Sequence, residues 1–400
     1  MSIAPYIILL FIGYFVFTID KKKEGFPVPT VLILLGIGLF FIPYFSSIQV
    51  SEDTIYHIFL PGLLFTAAYR FPFSALKRNG GIISFLATIG ILLTVLLLGT
   101  LIYVVSGIGG SLSFLGAILA ASILTPTDPV SVVSVLQKSS GDEMMADVLE
   151  GESMINDGTS IVIFSVISGV FLKDKSFSIA GFLSEFLIVS FGGVVVGLVF
   201  GWLFSKAVHV THHKEYQVML SIILAYGIFN IAEHFGFSGV LATVFAGITL
   251  SYEFDRTLKG EHFRESLDGF WGVIKISILS LLFLLIGITS ANYLFSFEFW
   301  GLAFLIFVIS LVVRFIIITG ATRIFPFWRK KITGKESLLL SWAGLKGSMS
   351  VFLLLSLQSK ADQNAEFIIS LTFAVVLISL IVQSIGVYPL SKKLLTDQSK

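Results

Sequence analysis

The side chains best placed to do chemistry fall in one run, Leu149-Glu150-Gly151-Glu152-Ser153-Met154-Ile155-Asn156-Asp157-Gly158-Thr159-Ser160, which leads directly into the apolar segment Ile161 to Leu172. Glu150, Glu152 and Asp157 are three carboxylates inside what is otherwise membrane sequence. A charge at bilayer depth costs several kcal/mol, so it is found there with a partner or an ion to serve. On a helix Ser153 and Asp157 stand one turn apart, as do Glu152 and Asn156, so two adjacent faces carry oxygen ligands. That arrangement suits a cation. The plainer alternative is that a group such as Glu150 merely staples two helices.

A second chemical element is Thr125-Pro126-Thr127-Asp128-Pro129, in the middle of another apolar run. Two prolines three apart remove backbone donors and clash with the preceding turn, which predicts a helix that unwinds and restarts at Pro129. Asp128 before Pro129 has the signature of an N-cap followed by a first helical residue. A broken helix at membrane depth is tolerated where it lines a cavity, with half-helix ends and free carbonyls facing an ion. A softer break is expected at Ala343-Gly344-Leu345-Lys346-Gly347-Ser348.

The elements that must carry these residues are membrane helices. The 400 residues are 56% hydrophobic and 13% charged, with mean hydropathy +0.95, which excludes a soluble domain of this size. Apolar runs long enough for helical crossings, without period-two alternation, exclude a β-barrel. Thirteen spans are expected, at about 3–18, 29–45, 54–69, 81–106, 112–136, 145–172, 179–205, 216–235, 238–250, 270–289, 298–322, 336–358 and 366–388. The first lacks a basic leader and is read as a retained helix rather than a signal peptide. The two breaks fall in spans five and twelve, an odd offset. They therefore run in opposite directions, as in an inverted repeat of about 1–172 and 216–390 joined by the span at 179–205. The expected fold is an all-α polytopic membrane protein, one integral transporter domain over 1–400 with two crossed discontinuous helices.

With the N-terminus outside, the inner loops hold 20 of the 26 Lys and Arg residues and the outer loops 3, the asymmetry required of a correct helix count. The C-terminus is then cytoplasmic. Lys275, Arg314 and Lys346 remain within helices. Lys275, near the inner end of its span, is expected to snorkel. Arg314 calls for a partner among the buried carboxylates, and for Lys346 the most economical partner is Glu152. The six histidines fall at helix ends or in loops, where His212-His213 reads as a solvated loop rather than a metal site. The absence of cysteine removes thiol chemistry and thiolate metal sites. A near-neutral net charge gives no sign of nucleic acid as a partner.

Thr127-Asp128-Pro129, Gly151-Glu152-Ser153 with Asn156-Asp157, Arg314, and Trp342-Ala343-Gly344-Leu345-Lys346-Gly347 together resemble the ordered signature of the cation:proton antiporter-1 family, the NhaP/NHE-type sodium/proton antiporters. The resemblance covers essentially the whole chain. It implies a thirteen-helix inverted repeat, a homodimer, and a core moving against a dimerisation domain in a prokaryotic plasma membrane. It further implies that Asp157 binds the cation or the proton, that Asn156 marks the electroneutral branch, and that Thr127, Asp128 and Ser153 surround the ion, with no cofactor. Two positions depart from the pattern. Thr66, a lesser candidate for the site, follows Leu60-Pro61-Gly62-Leu63-Leu64-Phe65 where an acidic residue is usual, and Lys346 replaces the usual arginine, losing its two-pronged geometry.

The expected activity is exchange of a monovalent cation, Na+, Li+ or K+, for a proton. Burial favours the neutral form of a carboxylate and a bound cation the ionised form, so the two exclude one another at a single group. Asp157, Ser153 and Thr127 offer the hard oxygen ligands such an ion takes. A cation channel could use the same carboxylates, but it needs a continuous pore rather than two broken helices. An intramembrane hydrolase built on Ser153 lacks a base at depth.

Overall fold

The computed structural model describes residues 4–21, 26–46, 48, 51–107, 112–129, 132–133, 143–173, 178–210, 213–255, 258–291, 300–329, 331–360 and 365–395. Several basic residues counted above, among them Lys22, Lys23, Lys138, Lys175, Arg256, Lys330 and Lys400, lie outside these, as does His212. Helices occupy the expected places: α1 (Ala4–Asp20), α2 (Val28–Phe40), α3 (Leu60–Arg70), α4 (Phe73–Ser106), α5 (Phe114–Leu124), α6 (Glu143–Lys173), α7 (Ile179–Val210), α8 (Lys214–His234), α9 (Gly239–Phe254), α10 (Leu258–Ser290), α11 (Trp300–Ile324), α12 (Gly334–Trp342), α13 (Ser348–Lys360) and α14 (Glu366–Leu395). Among the described residues seven of them are long and apolar enough to cross a bilayer unaided. The others are shorter or interrupted, so length alone does not fix the number of crossings at thirteen.

Both expected breaks are present. After α5 ends at Leu124, residues 126–129 are not helical, and Val132 and Val133 donate to the Pro129 carbonyl at 2.8 and 2.9 Å, which restarts a helical turn at the second proline. Residues 343–347 separate α12 from α13 in the same way. The two breaks touch, for the Asp128 amide donates to the Leu345 carbonyl at 2.8 Å. Around them pack α4, α5, α6 and α11 to α14, while α1, α2, α3 and α7 to α10 build the adjoining wall.

Three interruptions are softer and were invisible in the sequence. Thr54–Phe59, Leu86–Gly90 and Ile223–Gly227 are π-helical turns. A π turn leaves a carbonyl without its usual donor, which lipid cannot supply. In each case a hydroxyl from another helix takes a carbonyl: Tyr226 donates to Ile58 at 2.9 Å, Thr159 to Ala87 at 2.7 Å and Thr243 to Ala225 at 3.4 Å. Thr159 is two residues past Asp157, so the second of these bonds fixes the rotation of α6 against α4.

The wall relies on close backbone approach. Gly193, Gly197 and Gly201 repeat every four residues along α7, and a Cβ on any of them would collide with Ser238, Ala242 or Ala246 of the α9 face. Small residues at this spacing let helices associate in lipid by van der Waals contact, where no hydrophobic driving force acts between them. At the far end of α13, Ser359 and Lys360 bind Glu52 at 2.7 and 3.3 Å. Burial opposes ionisation of Glu52, but hydrogen bonds from Ser359 and Ser356 and the Lys360 charge together hold its carboxyl below the usual range. That tie is present at neutral pH and is lost as the pH falls through the lowered value.

Candidate functional site

Asp157 lies on α6 opposite the first break. Together with Asp128, Pro129, Ser153, Glu150 and Ser348 it lines a cavity of about 280 Å³, closed on the other side by Leu60, Leu64 and Ala67 of α3 and by Lys275 and Leu279 of α10. The cavity therefore separates the helices that carry the breaks from the adjoining wall. One oxygen of Asp157, Oδ1, is buried with no hydrogen-bond partner among the described residues, and so is Oδ1 of the neighbouring Asn156. A buried oxygen left unpaired costs about 1–3 kcal/mol, more for a charged group, so the Asp157 oxygen on the cavity needs an account. A bound cation supplies one.

The helical spacing read from the sequence brings the expected groups together. Ser153 donates to the Thr127 carbonyl at 2.5 Å and Asn156 Nδ2 donates to Thr127 Oγ1 at 2.9 Å. Both bonds run from α6 to the unwound segment. Ser153, Thr127 and Asn156 thus hold the broken strand of α5 against the helix that carries Asp157, and the Thr127 carbonyl is freed for this by the proline break. Asp128 acts across the crossing. Its Oδ2 accepts from the Ser348 amide at 3.4 Å and from Ser348 Oγ at 3.3 Å, so the carboxylate faces the N-terminus of α13, where the helix dipole favours negative charge.

Gly347 is what permits this approach. A Cβ built there would overlap the Asp128 side chain. Gly347→Ala is accordingly expected to displace Asp128 from Ser348, costing about 1–3 kcal/mol of stability through overpacking and raising the apparent cation constant. Thermal unfolding in detergent and cation titration in everted vesicles read the two effects. A variant unchanged in both would show that the crossing tolerates the added methyl.

Three expectations are corrected. Glu152 is not paired with Lys346. Instead Arg314 Nη1 and Nη2 donate to Glu152 Oε1 and Oε2, each at 2.8 Å, and Arg314 Nε reaches the Leu340 carbonyl at 3.3 Å. The planar guanidinium matches both carboxylate oxygens, which an ammonium cannot do. Lys346 is buried nearby, within the field of Arg314 and Glu152, and its backbone amide donates to Ser379 Oγ at 2.9 Å while Nζ makes no hydrogen bond or ion pair among the described residues. Second, Lys275 does not snorkel away from the protein but lines the cavity wall with Glu150. Its depth was readable from the sequence, whereas the face of α10 on which it falls was not, and nothing short of the helix packing could have singled it out. Third, Thr66 is fully buried, donates back to the Gly62 carbonyl at 2.6 Å and does not line the cavity.

A helical membrane protein with two touching broken helices and a carboxylate-lined cavity between two groups of helices has the architecture of a secondary transporter. The family profile described as "Sodium/hydrogen exchanger, transmembrane" matches residues 7–393, and the chain belongs to that family. It is 33% identical over 399 residues to the Na(+)/H(+) antiporter NhaH of Halobacillus aidingensis, covering 97% of this chain and 96% of that protein. It is 32% identical to the Na(+)/H(+) antiporter ApNhaP of Aphanothece halophytica, covering 98% of this chain and 75% of that one. In fold it is similar to the sodium proton antiporter MjNhaP1 of Methanocaldococcus jannaschii, with a TM-score of 0.78 at 22% identity, covering 98% of both chains. The chain is thus an integral membrane transporter of the cation:proton exchange class, not an enzyme.

Proposed function

We propose that the protein exchanges one Na+ for one proton, with Li+ or K+ as competing cations, and that Asp157 is the carboxylate the two share. The observation that carries this reading is the Asp157 Oδ1, buried without a partner among the described residues, on a cavity that Asp128 and Ser153 also line. Cation and proton stabilise opposite ionisation states of one buried carboxylate, so they occupy it in turn. Asp128 adds a second negative charge beside the site. Asn156 contributes an amide where a second titrating acid would add a charge to the cycle. Each crossing of the site then carries one positive charge in either direction, and exchange is electroneutral.

The cavity lies between two groups of helices, which fits alternating access by movement of one group past the other. Two broken segments that meet at the site, one in each half of the chain, fit inverted repeats over about 1–172 and 216–390. The Lys and Arg asymmetry between alternate loops of the sequence supports an N-terminus outside and a C-terminus in the cytoplasm of a prokaryotic cell. In the membrane the chain works as a homodimer, the state the family resemblance implies.

The test is twofold. In everted vesicles, added Na+ is expected to dissipate an imposed pH gradient saturably. In proteoliposomes at fixed ion gradients, the exchange rate is expected to be independent of an imposed membrane potential. A rate that climbs steeply with potential would overturn the single-carboxylate cycle, and conducted current without coupled proton movement would mean a channel.

A further inference from the structure

A second cavity, also of about 280 Å³, opens away from the Asp157 site between the first turns of α4, the start of α6 and the connection from α11 to α12. The transporter reading assigns it nothing. Lys77, Arg78 and Lys331 line it with Asn79, Phe327 and Trp328. Of the three cations, Arg78 alone has a carboxylate partner among the described residues, Asp147 at 2.6 Å, which Asn79 also contacts at 3.4 Å. Lys331 Nζ donates to the Arg78 carbonyl at 3.4 Å and sits 4.6 Å above the Phe327 ring. The lining therefore keeps an excess positive charge, of which Lys331 is held by a backbone and a ring contact rather than by a carboxylate. Its volume equals roughly nine waters, room for a phosphodiester headgroup.

Two further features say where the anion comes from. The cavity lies just past the end of α11, a span long and apolar enough to cross the bilayer, so it sits at the depth of the headgroups. Beside the cations the surface is apolar, with Ile324 70% and Phe327 66% exposed. Trp328 packs on Phe325 at 4.4 Å and on Phe85 at 5.5 Å, a rigid aromatic floor of the kind found at membrane interfaces. A soluble anion would use the lysines and leave Ile324 and Phe327 facing water, whereas a lipid fills both parts. We propose that this cavity binds the headgroup of one anionic glycerophospholipid, its phosphate between Lys77 and Lys331 and its acyl chains along Ile324 and Phe327. Basic pockets at the inner ends of membrane helices are suited to such headgroups. The bound lipid joins the inner ends of α4, α6 and the segment leading into α12, so it bears on the helix that carries Asp157 and on the one that leads into the second break.

The test uses the purified, delipidated full chain in a neutral detergent at low ionic strength. Phosphatidylglycerol is expected to raise the unfolding temperature and to remain bound in native mass spectrometry, while phosphatidylcholine and inorganic phosphate do neither. In Lys77→Ala/Lys331→Ala, and to a lesser degree in Lys331→Gln alone, the lipid-induced rise is expected to shrink and one bound phosphatidylglycerol to be lost. The increment on adding lipid is compared within each variant, so an altered starting stability does not obscure it. An equal effect of phosphatidylcholine, or the same number of retained lipids in the double variant, would overturn the site. An equal effect of inorganic phosphate would overturn its assignment to lipid.

Discussion

Asp157→Asn protein, inserted in the membrane in normal amount, is expected to move no more protons on cation addition than vesicles without the transporter. The amide keeps the size of the side chain and removes its ability to alternate between a protonated and a cation-bound state. Glu150, the other α6 acid on this cavity, lies about two helical turns away, and the nearer groups cannot stand in. Asn156 does not titrate, Ser153 is committed to the Thr127 carbonyl, and Asp128 faces the N-terminus of α13. Loss of exchange without loss of fold is the outcome that separates a transporting carboxylate from a structural one. The change removes a buried charge rather than leaving one unpaired, so Asp157→Asn is expected to unfold in detergent at or above the temperature of the unsubstituted protein. Cation-driven proton movement close to the normal rate in this variant would sink the shared-carboxylate cycle. The companion Asp157→Glu keeps the titrating group one methylene longer and is expected to retain exchange with weakened apparent affinity, read from the same vesicles.

The parts of this site that were legible in the sequence are those governed by local rules. Prolines at 126 and 129 dictate a break whatever surrounds them, and helical spacing puts Ser153 and Asp157 on one face whatever that face meets. The Ser153 and Asn156 bonds to Thr127 follow once these two elements are side by side. What was not legible depends on how helices are rotated and crossed. Asp128 read as the cap of its own half-helix, whose next residues lie outside the described ones; that reading gave no sign that its carboxylate also meets Ser348 of α13, where the two breaks cross. Lys275 had a readable depth and an unreadable face. The π turns carry no breaker residue, since their cause lies in hydroxyls on other helices, Tyr226, Thr159 and Thr243. Glu152 had two basic candidates at comparable depth. Charge balance alone chose Lys346, while the two-pronged fit of a guanidinium to a carboxylate, a matter of geometry and packing, chose Arg314.

That exchange of partners yields the second large effect. The Arg314 and Glu152 side chains are 12% and 4% exposed, and their pair joins α11 to α6 while Arg314 Nε also holds the last turn of α12 at Leu340. Gly344, just past that turn, lies so close that a Cβ there would overlap the guanidinium. Removing one partner of a buried pair leaves a bare charge, at a cost of about 3–5 kcal/mol. Arg314→Ala is therefore expected to lower the unfolding temperature in detergent severely. The Glu152→Ala/Arg314→Ala double change is expected to recover part of the loss, because no charge is then stranded. Arg314→Lys is expected to fall between, keeping the charge and losing the second prong and the Leu340 bond. Lys346→Ala is expected to cost far less than Arg314→Ala, since Nζ forms no ion pair with Glu152 and the like charge of Arg314 offsets the attraction of Glu152. Unfolding temperatures across these four variants and Glu152→Ala/Lys346→Ala decide the matter. If Lys346→Ala proved as damaging as Arg314→Ala, and Glu152→Ala rescued it equally well, the lysine would be a true partner of Glu152 and the bidentate pair would not be the contact that holds α11 to α6.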